Sequence, residues 1–277
     1  MNVESISTAK FISKNGILYN SSDTNLSYPS EGNEMCFQLE DNSYWFKHRN
    51  RIISLMIAKY KAHRNVFADV GGGNGFVSKL LQTQLADVIL IEPGPQGVIN
   101  ASKRGVKNVI CSVLDQCKFI NKSIEMIGMF DVLEHIEHPN NILQESKRVL
   151  TDDGLLFITV PAFNFLWSNE DKSAGHFTRY TKSTMKNLLH TNGFEPVFMS
   201  YFFQFLTMPI FALRSIPSRL GMYARQQNQQ HYNKQHSSGS GISNSIVNYF
   251  CNKEEATLSA GNQLNFGSSL IVVAKKK

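Results

Sequence analysis

The sequence predicts an α/β protein built on a doubly wound, mostly parallel sheet. From residue 66 onward, short apolar runs alternate with amphipathic helical patterns. A glycine-rich turn, "VGGGNG", directly follows the first apolar run and precedes the first of these helices. Alternation of this kind places parallel strands side by side with crossover helices on both faces. The 277 residues allow one large domain with additions or two small domains.

The predicted elements follow one another in a regular order. The predicted strands are 66–70, 87–92, 108–113, 125–130, 155–160, 194–201 and 268–276. The predicted helices are 44–61, 75–84, 95–104, 140–150 and 181–191. Residues 1–34 are polar and predict a loosely structured lead-in with a short hairpin. Between the last two strands, 201–221 is apolar and aromatic, whereas 225–245 is rich in Gln and Ser, which predicts a mobile segment.

Composition and charge exclude several classes of function. The net charge of +6 is mild, and the basic residues are dispersed apart from the final lysines, so we expect no nucleic-acid partner. No apolar run reaches the ~18 residues that span a bilayer, and the N-terminus lacks the layout of a secretory signal. The four cysteines form no CxxC pair. A reducing cytoplasm is therefore the expected compartment.

The glycine-rich turn is consistent with a nucleoside cofactor but not with every kind. A P-loop requires GxxxxGK[ST], and Phe76 and Val77 stand where its second glycine would lie. A dinucleotide fingerprint requires GxGxxG; Gly71 and Gly73 begin one, but Phe76 occupies the third position. That substitution weakens the dinucleotide interpretation without excluding it.

The spacing Asp69-x-Gly71-x-Gly73-x-Gly75 resembles motif I of the class I S-adenosylmethionine-dependent methyltransferases. Later segments strengthen the resemblance in the same order, namely "VILIEP" with Glu92, "SVLDQ" with Asp115 and "DVLEH" at 131–135. The resemblance implies a Rossmann-like, seven-stranded sheet of order 3-2-1-4-5-7-6 whose last strand is antiparallel. It also implies an N-terminal extension and cap helix over 1–60, and a cofactor-binding domain over 61–277 with an insertion at about 203–265.

The resemblance also implies S-adenosylmethionine as the cofactor and a set of residues that bind it. Glycines let the backbone turn sharply and approach a ligand, and an acidic residue at the position of Glu92 can accept hydrogen bonds from both ribose hydroxyls. Asp115 follows the third predicted strand, where an acidic residue lies near the adenine, and it could equally cap a turn. The predicted cofactor-binding residues are Asp69, Gly71, Gly73, Gly75, Glu92, Asp115 and Asp131.

Candidate catalytic residues follow the fourth and fifth predicted strands. His135 and His176 are the predicted general bases, although either histidine could instead orient or cap a loop. Predicted substrate-binding residues are Arg49, Arg179 and Tyr180. We expect no metal. Nevertheless, Asp131-x-x-Glu134-His135 with a distant His176 is similar to the metal site of small-RNA 2′-O-methyltransferases, and such ligands could hold a divalent ion.

The predicted function is therefore methyl transfer from S-adenosylmethionine to an oxygen or nitrogen of a small-molecule, sugar or lipid-linked acceptor. The segments "YWFKHRN" and "GHFTRYT" resemble a bacterial subgroup associated with such acceptors. Residues 201–221 could form a lid, or a peripheral surface that meets a lipid-linked acceptor at a membrane. The alternatives are a metal-dependent RNA 2′-O-methyltransferase, a non-catalytic S-adenosylmethionine-binding protein and, less favoured, a nicotinamide oxidoreductase.

Overall fold

One sheet, with nine strands among the residues that the structure describes, organises the molecule. The computed structural model describes residues 3–20, 36–37, 39–222 and 242–277. Along the sheet, the strands have the order β1-β2-β5-β4-β3-β6-β7-β9-β8. Their bounds are β1 Ile12–Lys14, β2 Ile17–Tyr19, β3 Val66–Val70, β4 Asp87–Ile91, β5 Asn108–Cys111, β6 Ile124–Phe130, β7 Leu150–Pro161, β8 Phe194–Phe202 and β9 Ser269–Lys276.

The prediction of seven strands was wrong by two, because the N-terminal hairpin joins the sheet. The seven strands from β3 onward take the relative order that the resemblance implied, and β9 runs antiparallel to both β7 and β8. The hairpin turns at Asn15 and Gly16, which both have positive φ, as a tight hairpin turn requires. Its second strand pairs in parallel with β5, and Ile17 is buried there, so the hairpin covers an edge that would otherwise be open.

Helices cover both faces of the sheet, as the alternating pattern predicts. On one face, α1 (Tyr44–Tyr60), α2 (Phe76–Leu81) and α9 (Ile242–Ser259) contribute Ile53, Leu81 and Leu258 to one apolar cluster. On the other face, α4 (Asn140–Val149) and α6 (Lys182–Thr191) contribute Leu143 and Leu189 to a second cluster. The central strands are therefore buried on both sides, which explains their continuous apolar sequences.

Four further helices are α3 (Pro95–Lys103), α5 (Asn169–Ala174), α7 (Gln204–Ile210) and α8 (Ile216–Arg219). A π-helical turn, Phe211–Ser215, joins α7 to α8 within the predicted insertion. The segment predicted to be mobile, 225–245, lies largely outside the described residues. Within the described ranges, no helix combines the length and the apolarity that crossing a bilayer requires.

Candidate active site

The glycine loop lies at the carboxyl end of β3, where open α/β sheets bind their ligands. Gly71, Gly73 and Gly75 all have positive φ, which only glycine adopts without strain. A Cβ on Gly71 would lie 2.6 Å from a methyl group of Val132, so this glycine is needed for packing. A Cβ on Gly73 would meet nothing within 4 Å. The middle glycine of the motif therefore presents its backbone to open space.

Glu92 lies beside this loop, immediately after β4. Its carboxylate accepts hydrogen bonds from the N–H of Gly73 at 3.1 Å and of Gly94 at 2.7 Å. Burial raises the pKa of Glu92 to about 7, although these two N–H groups oppose the shift. The fold thus brings the predicted ribose acceptor and the predicted glycine cradle together at neighbouring strand ends.

Asp69 and Asp115, also predicted to bind the cofactor, occupy different settings. Asp69 is fully buried and accepts a 2.6 Å hydrogen bond from the hydroxyl of Ser78, which ties the end of β3 to α2. Burial raises the pKa of Asp69 to about 6. Asp115 is exposed at the start of a 3₁₀ turn, and the neighbouring Leu114 is packed in the core. Asp69 is therefore a buried support of the glycine loop and does not line an open surface.

Asp131 lies directly after β6 and connects three elements of the site. It has a left-handed backbone (φ 57°), which is strained for a residue other than glycine. Its carboxylate accepts hydrogen bonds from Thr159 at 3.1 Å and from the guanidinium of Arg49 at 2.5 Å. The face of Trp45 lies 5.3 Å from the same guanidinium. Arg49 thereby joins α1 to the edge of the sheet.

The two predicted catalytic histidines are in contact, although 41 residues separate them in the sequence. The ring centroids of His135 and His176 are 4.8 Å apart, with the rings nearly perpendicular. Burial, and then the proximity of His176, lowers the pKa of His135 to about 4, so it is neutral near pH 7. His176 bonds through Nδ1 to the carboxylate of Asp171 at 2.9 Å. In a neutral His176, this bond places the ring proton on Nδ1 and the lone pair on Nε2.

Asp171 is a site residue that the sequence analysis missed. It is buried in α5, and its carboxylate also accepts hydrogen bonds from Nε of Arg179 at 2.7 Å and from its terminal nitrogen at 3.0 Å. The motif Ser168-x-x-Asp171 is a capping-box signature, which could have identified Asp171 as the start of a helix but not as the partner of His176.

Arg179 and Tyr180, predicted to bind substrate, are engaged within the protein. Arg179 pairs with Asp171 and donates to the carbonyl of Ala162 at 3.2 Å. Tyr180 is buried and donates its hydroxyl to the carbonyl of Leu133 at 3.2 Å. Burial, and then the carboxylate of Glu134, raises the pKa of Tyr180 to about 12. The structure therefore places both side chains in the framework that holds the histidines.

Glu134 adds a carboxylate to the histidine pair. It is buried, and its Oε2 atom has no hydrogen-bond partner among the described residues. Burial, and then the charge of Asp131, raises the pKa of Glu134 well above its ordinary value. Donor atoms of Glu134, His135 and His176 all lie within 4.8 Å of one another. Side chains of this type could hold a divalent cation.

Comparison with known proteins identifies the family to which this fold and site belong. The family described as "Methyltransferase domain" matches residues 41–197, which is more than half of the chain. The chain belongs to this methyltransferase family. The matched region includes the glycine loop, Glu92, Asp131 and both histidines, and it confirms the family that the motifs predicted.

Curated relatives of this methyltransferase domain match over shorter regions. A probable S-adenosylmethionine-dependent methyltransferase of Mycobacterium tuberculosis is 25% identical over 124 residues, which cover 44% of each chain. A ubiquinone biosynthesis O-methyltransferase of Glaesserella parasuis is 28% identical over 101 residues, covering 33% of this chain and 43% of that protein. The alignments thus span less than half the length of these relatives.

Solved structures extend the similarity to nearly the whole fold. An S-adenosylmethionine-dependent methyltransferase of Thermotoga maritima aligns over 89% of this chain and 95% of its own, with a TM-score of 0.54 and 14% identity. A phosphoethanolamine N-methyltransferase of Haemonchus contortus aligns over 90% of this chain and 58% of its own, with a TM-score of 0.54 and 12% identity. At such identities, these likenesses establish the methyltransferase fold alone.

Proposed function

We propose that the protein transfers a methyl group from S-adenosylmethionine to an oxygen or nitrogen of a small-molecule, sugar or lipid-linked acceptor. The observation that carries this proposal is the hydrogen bond between Glu92 and the N–H of Gly73, which joins the ribose acceptor to the glycine cradle. Residues 1–60 would form an extension and cap, and 61–277 the cofactor-binding domain. Because no disulfide joins the four cysteines, we retain the cytoplasm as the proposed compartment.

The residues present fit the cofactor. The open backbone at Gly73 leaves room for the methionine part, and the N–H groups at the start of α2 favour its carboxylate. Glu92 would exchange its bond to Gly73 for bonds to the ribose hydroxyls. Bound there, S-adenosylmethionine supplies a methyl group on a positively charged sulfur. The task of the protein is then to align the acceptor and to exclude water.

We assign the general base to His176. Its lone pair on Nε2 can take the proton that the acceptor hydroxyl or ammonium loses as the new bond to the methyl group forms. The buried carboxylate of Asp171 then stabilises the imidazolium, and Arg179 keeps that carboxylate ionised. General base catalysis of this kind contributes about 10²–10⁴-fold. His135, which is neutral near pH 7, lies against the same ring and completes the wall of the acceptor site.

Calorimetric titration tests the cofactor assignment. S-adenosylmethionine and its demethylated product should bind, whereas NAD should not. The substitution Glu92→Ala should weaken cofactor binding by about 1–3 kcal/mol, the scale for hydrogen bonds to a charged group. Glu137→Ala is the matched control, because Glu137 is an exposed glutamate that lies, like Asp131, after β6. Binding of NAD alone, or equal affinities for both variants, would contradict the proposal.

A transfer assay tests the catalytic assignment and separates it from a purely binding role. Isotope-labelled S-adenosylmethionine is incubated with the protein and with fractionated small-molecule and lipid extracts. His176→Ala should retain cofactor affinity but lose about 10²-fold or more of the transfer rate. His138→Ala, at an exposed position, should not change either quantity. Cofactor binding without transfer to any fraction would favour the non-catalytic alternative.

A second candidate function is metal-assisted transfer, as in the RNA 2′-O-methyltransferase alternative. The observation that favours it is the proximity of Glu134, His135 and His176. A metal ion on Nε2 would occupy the lone pair that a general base needs, so the two assignments exclude each other. Titration with Mn²⁺ distinguishes them: the general-base proposal expects no binding, whereas metal assistance expects binding that Glu134→Gln removes.

A further inference from the structure

The first part of the insertion is helical, and it buries small polar side chains while it exposes several large apolar ones. From α7 through the π-turn to α8, the fully buried side chains are those of Thr207 and Ser215. Thr207 donates its hydroxyl to the carbonyl of Phe203 at 3.2 Å, and Ser215 donates to the carbonyl of Leu166 at 2.8 Å. The small polar residues of this segment thus face the protein, although a surface helix normally buries its apolar side.

Phe205 and Leu206 pack against the core, but five other large apolar residues of this segment and of the turn that follows it are exposed, and we call them the exposed apolar face. They are Met208 (63% exposed), Leu213 (75%), Ile216 (38%), Leu220 (65%) and Met222 (69%). The contact between the rings of Phe205 and Phe250, 5.7 Å apart, joins this segment to α9, which exposes Ile246 and Tyr249. Large apolar side chains exposed close together in the sequence are candidates for an interaction site.

The charge of the surrounding sequence indicates what covers this face. Between Glu195 and Glu254 the sequence contains no acidic residue, although the chain carries 22 of them. The same stretch carries five cationic residues, which are Arg214, Arg219, Arg225, Lys234 and Lys253. Arg214 is paired with Glu170, but the stretch as a whole has a net positive charge. Exposed apolar side chains in a cationic stretch of sequence are complementary to the surface of an anionic bilayer, where methyl-bearing side chains enter the acyl boundary and cations meet phosphate groups.

We propose that the exposed apolar face docks on an anionic phospholipid surface and brings the active site to an acceptor held in that surface. The segment lies over the part of the chain that carries Asp171. Arg214 pairs with Glu170, the neighbour of Asp171 in α5, and Arg219 donates to the carbonyl of Phe165 at 2.8 Å. Docking is independent of the proposed methyl transfer, whereas the lipid-linked nature of the acceptor rests on it.

Vesicle sedimentation of the full chain tests the docking without using activity. Wild-type protein should bind vesicles of mixed phosphatidylglycerol and phosphatidylcholine, should release them as salt is raised, and should ignore pure phosphatidylcholine. The double variant Leu213→Ser with Leu220→Ser should bind about tenfold or more weakly, because it removes two of the most exposed apolar side chains. Ile12→Ser is the matched control, since Ile12 is 66% exposed on the edge strand β1.

Three results would overturn the proposal. The first is equal vesicle binding by the wild type and the double variant. The second is binding of duplex RNA without binding of vesicles. The third is a stable dimer that the double variant dissociates, which would assign the face to a second copy. Calorimetric binding of S-adenosylmethionine by each variant verifies that the fold is intact. If the wild-type protein binds S-adenosylmethionine but not vesicles, the docking proposal fails and the proposed function stands. If it binds vesicles but not S-adenosylmethionine, the proposed function fails and the docking proposal stands.

Discussion

The substitution Asp171→Asn removes the carboxylate that hydrogen-bonds His176, the proposed general base. Asp171 is almost completely buried and accepts hydrogen bonds from both His176 and Arg179. Burial alone would raise the pKa of Asp171, but the bonds from His176 and Arg179 outweigh it and lower the pKa from 3.8 to about 2. At 1.36 kcal/mol per pKa unit, the ionised carboxylate stabilises the fold by about 2–3 kcal/mol.

The sign of the pH dependence follows from the depressed pKa. The stabilisation of the fold by the ionised carboxylate of Asp171 is fully present above 3.8, the pKa of this group in the unfolded chain, and it is lost as the pH falls toward 2. By pH 3, about 1 kcal/mol of it should already be lost. Asp171→Asn should therefore lower the free energy of unfolding by about 3 kcal/mol at pH 7, because Arg179 also loses its buried counter-charge. The difference between wild type and variant should shrink as the solution is acidified.

Urea denaturation between pH 7 and pH 3 measures both the loss of unfolding free energy in the variant and its dependence on pH, since urea does not screen ion pairs as a salt would. Asp153→Asn is the matched control. Asp153 also bonds a guanidinium, that of Arg64 at 2.6 Å, but its side chain is 49% exposed, so its loss should cost at most about 1 kcal/mol. If the two variants were equally stable, or if the effect of Asp171→Asn did not change with pH, the assigned role of the buried carboxylate would be refuted.

Three further predictions concern the cofactor site and the cap helix. Because burial raises the pKa of Glu92 to about 7, calorimetric affinity for S-adenosylmethionine should increase as the pH rises through 7 and the ribose acceptor ionises; an affinity that is constant from pH 6 to pH 8 would contradict this. In urea denaturation, Gly75→Ala should lower the unfolding free energy by more than Gly73→Ala, because its Cβ would lie 2.7 Å from Val106, whereas a Cβ on Gly73 meets open space and should cost only about 1–2 kcal/mol from backbone strain. Both variants should bind the cofactor more weakly, since the Cβ of Gly73→Ala would enter the space left for the methionine part; equal unfolding free energies would contradict the assignment. Burial would lower the pKa of His48, but its side-chain hydrogen bonds with Cys251, Glu254 and Glu255 raise it to about 10. That stabilisation is complete below pH 6.5 and lost as the pH rises through about 10, so His48→Gln should destabilise the protein by about 3 kcal/mol near neutral pH in urea denaturation; an unchanged midpoint would rule the ion pair out as a stabilising contact.

Much of the fold could be read from local patterns. Strand β3 begins and ends where the apolar run predicted, and the predicted bounds of β4, α3 and α4 are within one residue of those observed. Runs of this kind are reliable because buried parallel strands need apolar side chains on both faces, a requirement that the sequence carries directly. The N-terminal hairpin was predicted as a local turn, but its parallel pairing with β5 depends on a neighbour some 90 residues away.

The candidate site likewise contains features that the sequence predicted and features that it did not. The glycine spacing and Glu92 identify a cofactor from the sequence, because backbone conformation and the position of a strand end are local properties. The sequence analysis missed the role of Asp171 and predicted Arg179 as a substrate-binding residue. It did not predict that the two side chains bond to each other, because that pairing depends on how α5 packs against the segment that follows it. The sequence contains Arg179 and Asp171 but does not indicate that the two form a buried ion pair.

By itself, the sequence determined the alternation of strands and helices, the glycine cradle and the family to which the chain belongs. Only the tertiary structure decided that His135 and His176 are in contact, that Asp171 fixes the proton of His176, and that a polar-inward helix exposes Leu213 and Leu220. The physical reason is that propensity and periodicity act over a few residues. Burial, ion pairing and the choice of a hydrogen-bond partner depend instead on groups that are distant in the chain and adjacent only after folding.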